Sequence, residues 1–334
     1  MGITLMDVAR EAGVSHMTVS RVINKKNGIN KTTRARVLEA IERLAYKPNS
    51  VARSLVIKKT RLLGIIVPDI DNPFFSGMVK GTERIAHEND YNIILCDTEG
   101  LVENEKKYMD LMVERMVDGV ILAAPRMDDE ELVTYNQMIP IVVLDRHFPS
   151  GGITHIWADN IEGASQAMEY LIRLGHERIG FITGPEIVQV SLMRKEGYKR
   201  SLLKHGIHFD PHLVAHGDFL FESGYKNLDY FFRVRPHPTA IFSSNDIMAL
   251  GLLKRAKETG IHIPNDVSII GFDDITLSSL ISPPLTTVHH PVVEMGKRAV
   301  HQLLHKISNS GEHEDEVQLL NHLVVRKSAR TVFN

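Results

Sequence analysis

Residues 4–24 read TLMDVAREAGVSHMTVSRVIN, and the parsing of this stretch decides the fold of the N-terminal part. Thr4 stands just before an apolar-periodic run and Asp7 follows three residues on, the spacing of a capping box with Asp in place of Glu. Leu5, Val8, Ala9 and Ala12 then share one helical face. Gly13 ends the helix, because glycine takes positive φ without a Cβ penalty. Ser15 is placed to cap a second helix with Val19, Val22 and Ile23 on its inner face. A third helix is expected from about Thr32, with Val37, Leu38, Ile41 and Leu44 at helical spacing. Two short helices joined by a tight glycine turn and braced by a third make a helix-turn-helix.

Charge indicates what such a head would face. The 334 residues carry 39 Lys/Arg against 41 Asp/Glu, a net −2. Residues 1–59 hold 12 of those bases and four of the acids, leaving 27 against 37 for the remainder. A basic head on an acidic body points to a polyanion partner for the head alone. Ser15, His16, Met17, Thr18, Ser20 and Arg21 lie outside the inner face of the second helix. The N-terminus of that helix offers N–H groups and partial positive charge to a phosphate. Arg21 suits a bidentate contact to guanine, and His16 and Met17 can meet base edges in a major groove. The bland alternative is a capped surface helix in a solvated basic face.

With KTTRARVLEAIERLAYKPNSVARSLVIKKT at 31–60, the opening stretch resembles the N-terminal signature of the LacI family of bacterial repressors, and the similarity continues along nearly the whole chain. The resemblance implies a transcription regulator, a homodimer on a near-palindromic operator, with its grip set by a small-molecule effector. It implies that His16, Met17 and Arg21 read bases, while Ser15, Thr18, Ser20 and Asn24 position the helix on the backbone. Pro48 separates residues 49–58 from the third helix. By resemblance that segment is a hinge helix opened by Asn49, with Leu55 as an apolar wedge in the minor groove. The residues alone would assign Leu55 to packing against Val51.

From Arg61 the pattern becomes short β-branched runs (LLGIIVP, NIILCD, GVILAA, PIVVLD, HIWAD) alternating with helical stretches, and after Asn160 the alternation starts again. Alternation of this kind predicts parallel sheets with helical crossovers, an α/β fold. It resembles the two-lobed periplasmic-binding-protein-like core of the same family. The expected organisation is a head over 1–48, a hinge over 49–59 and a core over 60–334. Within the core, one lobe spans about 60–158 and 288–320 and the other about 159–287 and 321–334. Crossings between lobes are expected near Ala158–Asp159, Thr287–Val288 and Gln318–Leu323.

Open α/β sheets bind ligands at the carboxyl ends of their strands. The resemblance assigns effector contact to Arg194, Asn245 and Asp273, then to Phe74, Phe219 and Asp145. A guanidinium, a carboxamide, carboxylates and aromatic faces together suit a polyhydroxylated ligand, a sugar or sugar derivative. Val188 and Val190 fall where the purine-binding member of the family places an Arg and a Thr, which argues against a purine. Asp246 and Asp274 are expected as helix N-caps, and Phe75 as either core or cleft. No nucleotide loop, nucleophile elbow or metal-binding pattern is present, so neither catalysis nor a metal or other cofactor is expected. The 17 histidines, His205 with His208 and His289 with His290 included, match no standard metal spacing. One cysteine, Cys96 in an apolar run, together with the lack of a signal peptide or membrane span, predicts a cytoplasmic, nucleoid-associated protein. The lack of a C-terminal leucine heptad favours a dimer. A phosphocarrier co-regulator is a further partner that the resemblance allows. The reading from another class is a cytosolic sugar-binding or sugar-metabolising protein with the head as an interaction module.

Overall fold

The computed structural model describes residues 3–23, 27–46, 59–148, 152–308 and 314–332, which form two compact units, 1–60 and 61–334. Asn24, Asn49 and Leu55 lie outside the described residues.

In the first unit, α1 (Leu5–Ala12), α2 (His16–Ile23) and α3 (Lys31–Arg43) enclose Val8, Ala9, Ala12, Val19, Val22, Val37 and Ala40. The capping box forms as expected: the Asp7 amide donates to Thr4 Oγ1 at 3.3 Å and the Thr4 amide donates back to Asp7 Oδ2 at 2.9 Å. Gly13 sits at φ 62°, and the Arg36 guanidinium donates to Ala12 O at 2.8 Å, so α3 holds the turn through the orphan carbonyls of α1. Leu38 departs from expectation at 52% exposure. Ala40 completes the buried stripe with Val37, Ile41 and Leu44, and Leu38, about 100° from Val37 around the helix, faces outward.

In the second unit the chain builds β1 (Leu62–Val67), α4 (Pro73–Glu88), β2 (Asn92–Asp97), α5 (Val102–Glu114), β3 (Gly119–Ala123), α6 (Asp129–Met138), β4 (Ile141–Leu144) and β5 (Thr154–Ala158). It crosses into a second lobe as α7 (Asn160–Arg173), β6 (Ile179–Ile182), α8 (Gln189–Lys204), β7 (Val214–Ala215), α9 (Phe221–Arg233), β8 (Ala240–Ser243), α10 (Asp246–Thr259), β9 (Ser268–Asp273), α11 (Thr276–Leu280) and β10 (Thr286–His289). Helix α12 (Val292–Ser308) and β11 (Glu316–Leu319) return to the first lobe, and β12 (His322–Val324) belongs to the second. The sheets run β11-β5-β4-β3-β1-β2 and β12-β10-β9-β8-β6-β7, parallel except for β12 against β10. The middle crossing falls later than Thr287–Val288. Those residues pair with Gly271 and Phe272 inside the second sheet, and the chain leaves it only after His289.

Helices cover both faces of each sheet, so β3, β4 and β9 are buried along their whole length and read as continuous apolar runs rather than alternating ones. Glycine sets one helix crossing. A Cβ on Gly81 would lie 2.1 Å from Val293 O, and one on Gly296 would lie 2.2 Å from Met78 O, so α4 and α12 touch backbone to backbone. Among the described residues no helix is long and apolar enough to cross a membrane.

Candidate functional site

Two surfaces emerge. On α2, Val19 and Val22 are buried, whereas Ser15, His16, Met17 and Arg21 are exposed and Thr18 and Ser20 are partly so. At about 100° per residue, positions 16, 17, 20 and 21 span one face opposite the buried pair. Ser15 caps the helix through its Oγ, which accepts from the Thr18 amide at 3.2 Å. Met17 stays 61% exposed on this face, an apolar side chain left at a surface that has no folding use for it.

The second surface is a cavity of about 490 Å³ between the two lobes of the larger unit. Because the strands are parallel, their carboxyl ends collect there. All six expected residues, Phe74, Asp145, Arg194, Phe219, Asn245 and Asp273, line it. Phe75 lines it too, packing edge-on to Phe74 at 5.1 Å while touching the first-lobe core, so both readings of that residue hold. Val188 and Val190 contribute an apolar wall.

Arg194 is buried at the cavity floor, on α8. Its Nε donates to Asn160 Oδ1 at 2.8 Å, its Nη1 donates to Ser244 O, and its Nη1 stands 3.6 Å from Asp273 Oδ1. The guanidinium lies over the Phe272 ring, 3.8 Å from its centroid. Asn160 in turn donates to Ala158 O at 3.0 Å, so the guanidinium is tied to the strand that crosses between lobes. Burial pulls the Arg194 pKa down, against the pull of Asp273, but a guanidinium stays charged in any case. Burial also pushes the Asp273 carboxyl well up; Arg194 opposes this, and Asp246 and Asp145 add to it.

Two carboxyl groups beside the cavity each keep one enclosed oxygen. Asp145 Oδ1 and Asp273 Oδ1 are buried without a hydrogen bond. Asp145 Oδ1 lies 3.2 Å from Nε2 of the buried His290, yet the approach does not satisfy hydrogen-bond geometry. Each of these oxygens is enclosed against a basic side chain of the chain itself, Asp145 Oδ1 against His290 and Asp273 Oδ1 against Arg194, while both residues line the cavity and so offer carboxyl groups to donors from outside the chain. The backbone agrees: Ala124, Asp145, Phe219 and Asp273, all lining residues, have φ of 46°, 55°, 70° and 116°. Non-glycine residues held at positive φ cluster at ligand clamps.

Asn245 and the two expected N-caps come out differently. Asn245 itself caps α10, its Oδ1 accepting from the Met248 amide at 2.9 Å, while its Nδ2 donates to Phe219 O at 2.9 Å and so holds that residue's unusual backbone. Asp246 is therefore no cap. It is fully buried, accepting from Ser278 Oγ, Thr287 Oγ1 and the Ile275 amide at 2.6, 2.6 and 3.0 Å. Burial pushes its carboxyl up to about 7. Asp274 does not cap α11 either, and pairs instead with Arg326 at 2.6 Å and His289 at 3.0 Å.

Sequence reasoning missed Asn160 and most of the cavity's charge. Asp69, Asp71, Asp97, Glu99, Asp145, Asp218 and Asp273 line it against only Arg126 and Arg194. Asp97 ends β2, so the strand-end signal that singled out Asp145 and Asp273 was legible there as well.

A helix-turn-helix and a two-lobed α/β core with a polar cleft, carried on one chain, define a ligand-controlled transcription regulator as the class of protein. Comparisons narrow this. Residues 4–49 match the family described as bacterial regulatory proteins, lacI family, and residues 168–329 match the periplasmic binding protein-like domain. The chain is 36% identical to the HTH-type transcriptional repressor PurR of Aliivibrio salmonicida over 97% of its own length and 98% of that protein's. A lac repressor dimer bound to operator and the anti-inducer ONPF superposes with TM-score 0.89 at 28% identity, covering 99% of this chain and 100% of that one. A complex of the regulator CelR with cellobiose gives 0.74 at 30% identity, covering 98% of this chain and 99% of that one. The chain belongs to the LacI family and is a transcription regulator with a DNA-binding head and an effector-binding core.

Proposed function

We propose that the chain is a homodimeric cytoplasmic repressor of a near-palindromic operator, released or strengthened by an uncharged or cationic polyhydroxylated effector held between its lobes. The observation that carries this reading is a cavity lined by the carboxyl groups of Asp145 and Asp273 together with Phe74 and Phe219. A polyol supplies O–H donors to both carboxylates and an apolar ring face to the aromatics. The acidic excess of the lining repels phosphates and sugar acids. Val188 and Val190 offer no hydrogen bonds to a nucleobase. The likeness to a cellobiose-bound regulator and to an operator-bound dimer supports the same reading.

The mechanism is a coupling free energy between cleft and head, typically ~1–3 kcal/mol in allosteric systems. Titration calorimetry of the full chain against neutral sugars, amino sugars, sugar phosphates and nucleobases, paired with gel shifts on genomic palindromes, tests it. A neutral or amino sugar is expected to bind and to change operator affinity by about 5- to 150-fold. Binding confined to phosphates or nucleobases would overturn the effector class, and failure to retard any genomic fragment would overturn the operator reading.

A further inference from the structure

Outside the lining of the cleft lies a cluster that no sequence spacing announces. His147 follows β4, His155 lies on β5 and Glu316 opens β11, and one donor atom of each lies within 4.8 Å of the other two. His147 Nε2 and His155 Nε2 stand 3.6 and 3.7 Å from the same oxygen, Glu316 Oε1. A tetrahedral ion with bonds of about 2.0–2.1 Å separates its ligand atoms by roughly 3.3–3.4 Å, within a few tenths of an ångström of the two histidine-to-Glu316 separations.

A second observation points to the same place. The His155 side chain is 4% exposed, yet neither of its ring nitrogens has a well-formed hydrogen bond. A buried imidazole whose contacts to the Ile153 backbone and to Glu316 fall short of good hydrogen-bond geometry, aimed at that carboxylate and another imidazole, has room for a shared ion at its centre. Trp157 Nε1 donates to Glu316 Oε1 at 2.8 Å, and the His147 ring packs edge-on to both Trp157 and His155, which orients two of the three ligands. The side chains of His147 and Glu316 are 37% and 49% exposed, leaving an entry path and an open fourth position.

We propose that His147, His155 and Glu316 form a binding site for a divalent transition-metal ion of the zinc class. Two imidazoles and one carboxylate suit zinc, cobalt or nickel and discriminate against magnesium, which takes oxygen ligands. The site also reaches the second lobe. The His147 amide donates to Gln189 Oε1 at 2.9 Å and Gln189 Nε2 donates to His147 O at 3.4 Å, and Gln189 opens α8, the helix that carries Arg194. An ion pinning His147 to β5 and β11 steadies this clasp between lobes and the adjoining Asp145.

The experiment compares the full chain, stripped with a chelator, with His147→Ala and Glu316→Gln in calorimetric titrations with zinc chloride and in cobalt absorption spectra. Both substitutions fall on part-exposed side chains. Glutamine keeps an acceptor for Trp157, and alanine keeps the backbone clasp to Gln189. The wild type is expected to take up one tight equivalent of zinc, to give the visible band of tetrahedral cobalt and to melt about 5 °C higher at zinc 100-fold above Kd. Each variant is expected to lose that equivalent, with affinity falling about 100-fold or more, while melting as the metal-free wild type does. Variants that bind zinc with the wild-type stoichiometry and affinity would overturn the proposal and assign the uptake to other histidines. So would a wild type that binds no zinc below millimolar concentration.

Discussion

Replacing Arg194 by methionine isolates what this side chain does. Methionine keeps an apolar stem against Phe272 and removes the donor to Asn160, the donor to Ser244 O and the charge 3.6 Å from Asp273. Breaking one side of a buried charge pair costs about 3–5 kcal/mol. At roughly 2–4 °C per kcal/mol for a domain of this size, Tm should fall by ~6–20 °C. The loss should depend on pH. Asp273 already holds its proton more firmly than a free carboxyl, and without Arg194 it holds it more firmly still. A neutral Asp273 tolerates the missing guanidinium, whereas an ionised one does not, so the Tm deficit should grow as pH rises through the ionisation of Asp273, read at pH 6 and pH 8. Thermal denaturation of the full chain at the two values, with Arg194→Met combined with Asp273→Asn as a partial rescue at pH 8, tests this. A variant that melts within 2 °C of wild type at both values (about 1 kcal/mol or less) and loses only its response to effector would refute the reasoning. Arg194 would then be a ligand contact and not a structural tie within the second lobe.

Asp246, with its carboxyl pushed up to about 7 by burial, keeps a proton in the folded chain over a range where the unfolded chain has lost it. Its contribution therefore falls as pH rises from about 4 to about 7, by at most ~4 kcal/mol, and Asp246→Asn should flatten that portion of the profile in urea melts; parallel profiles would count against it. On the head, Arg21→Ala should relax base preference at one position of each half-site at ~1–3 kcal/mol per lost bidentate contact, and unchanged preference in a binding selection would assign Arg21 to the backbone instead.

Much of this protein was legible in order along the chain, because local structure depends on local spacing. The capping box at Thr4 and Asp7, the turn at Gly13 and the buried pair Val19 and Val22 needed only helical periodicity. The strands of both lobes were legible as well, since burial on both faces of a parallel sheet leaves apolar runs that hydropathy alone detects. Spacing was less reliable at the margin of a buried stripe, as Leu38 shows. It also misplaced the second crossing between lobes, where strand pairing through His289 and not composition decides how far β10 extends.

Only the tertiary structure brought together what is distant in sequence. Six residues from Phe74 to Asp273 share one cavity because parallel strands end on one side of their sheets. Asp246 and Asp274 carry the residue type of a cap, but Asn245 takes the cap at α10, Ile275 holds the N-cap position of α11 and both aspartates hold tertiary contacts. His147, His155 and Glu316 meet for a similar reason: β11 returns from the far end of the chain to pair with β5, a placement set by packing and not by any spacing along the sequence. The sequence by itself determined which segments are helix and strand and that the head is basic, because these follow from periodicity and charge. Which charges are buried, paired or left facing the cleft was decided in three dimensions, where desolvation and the supply of partners act.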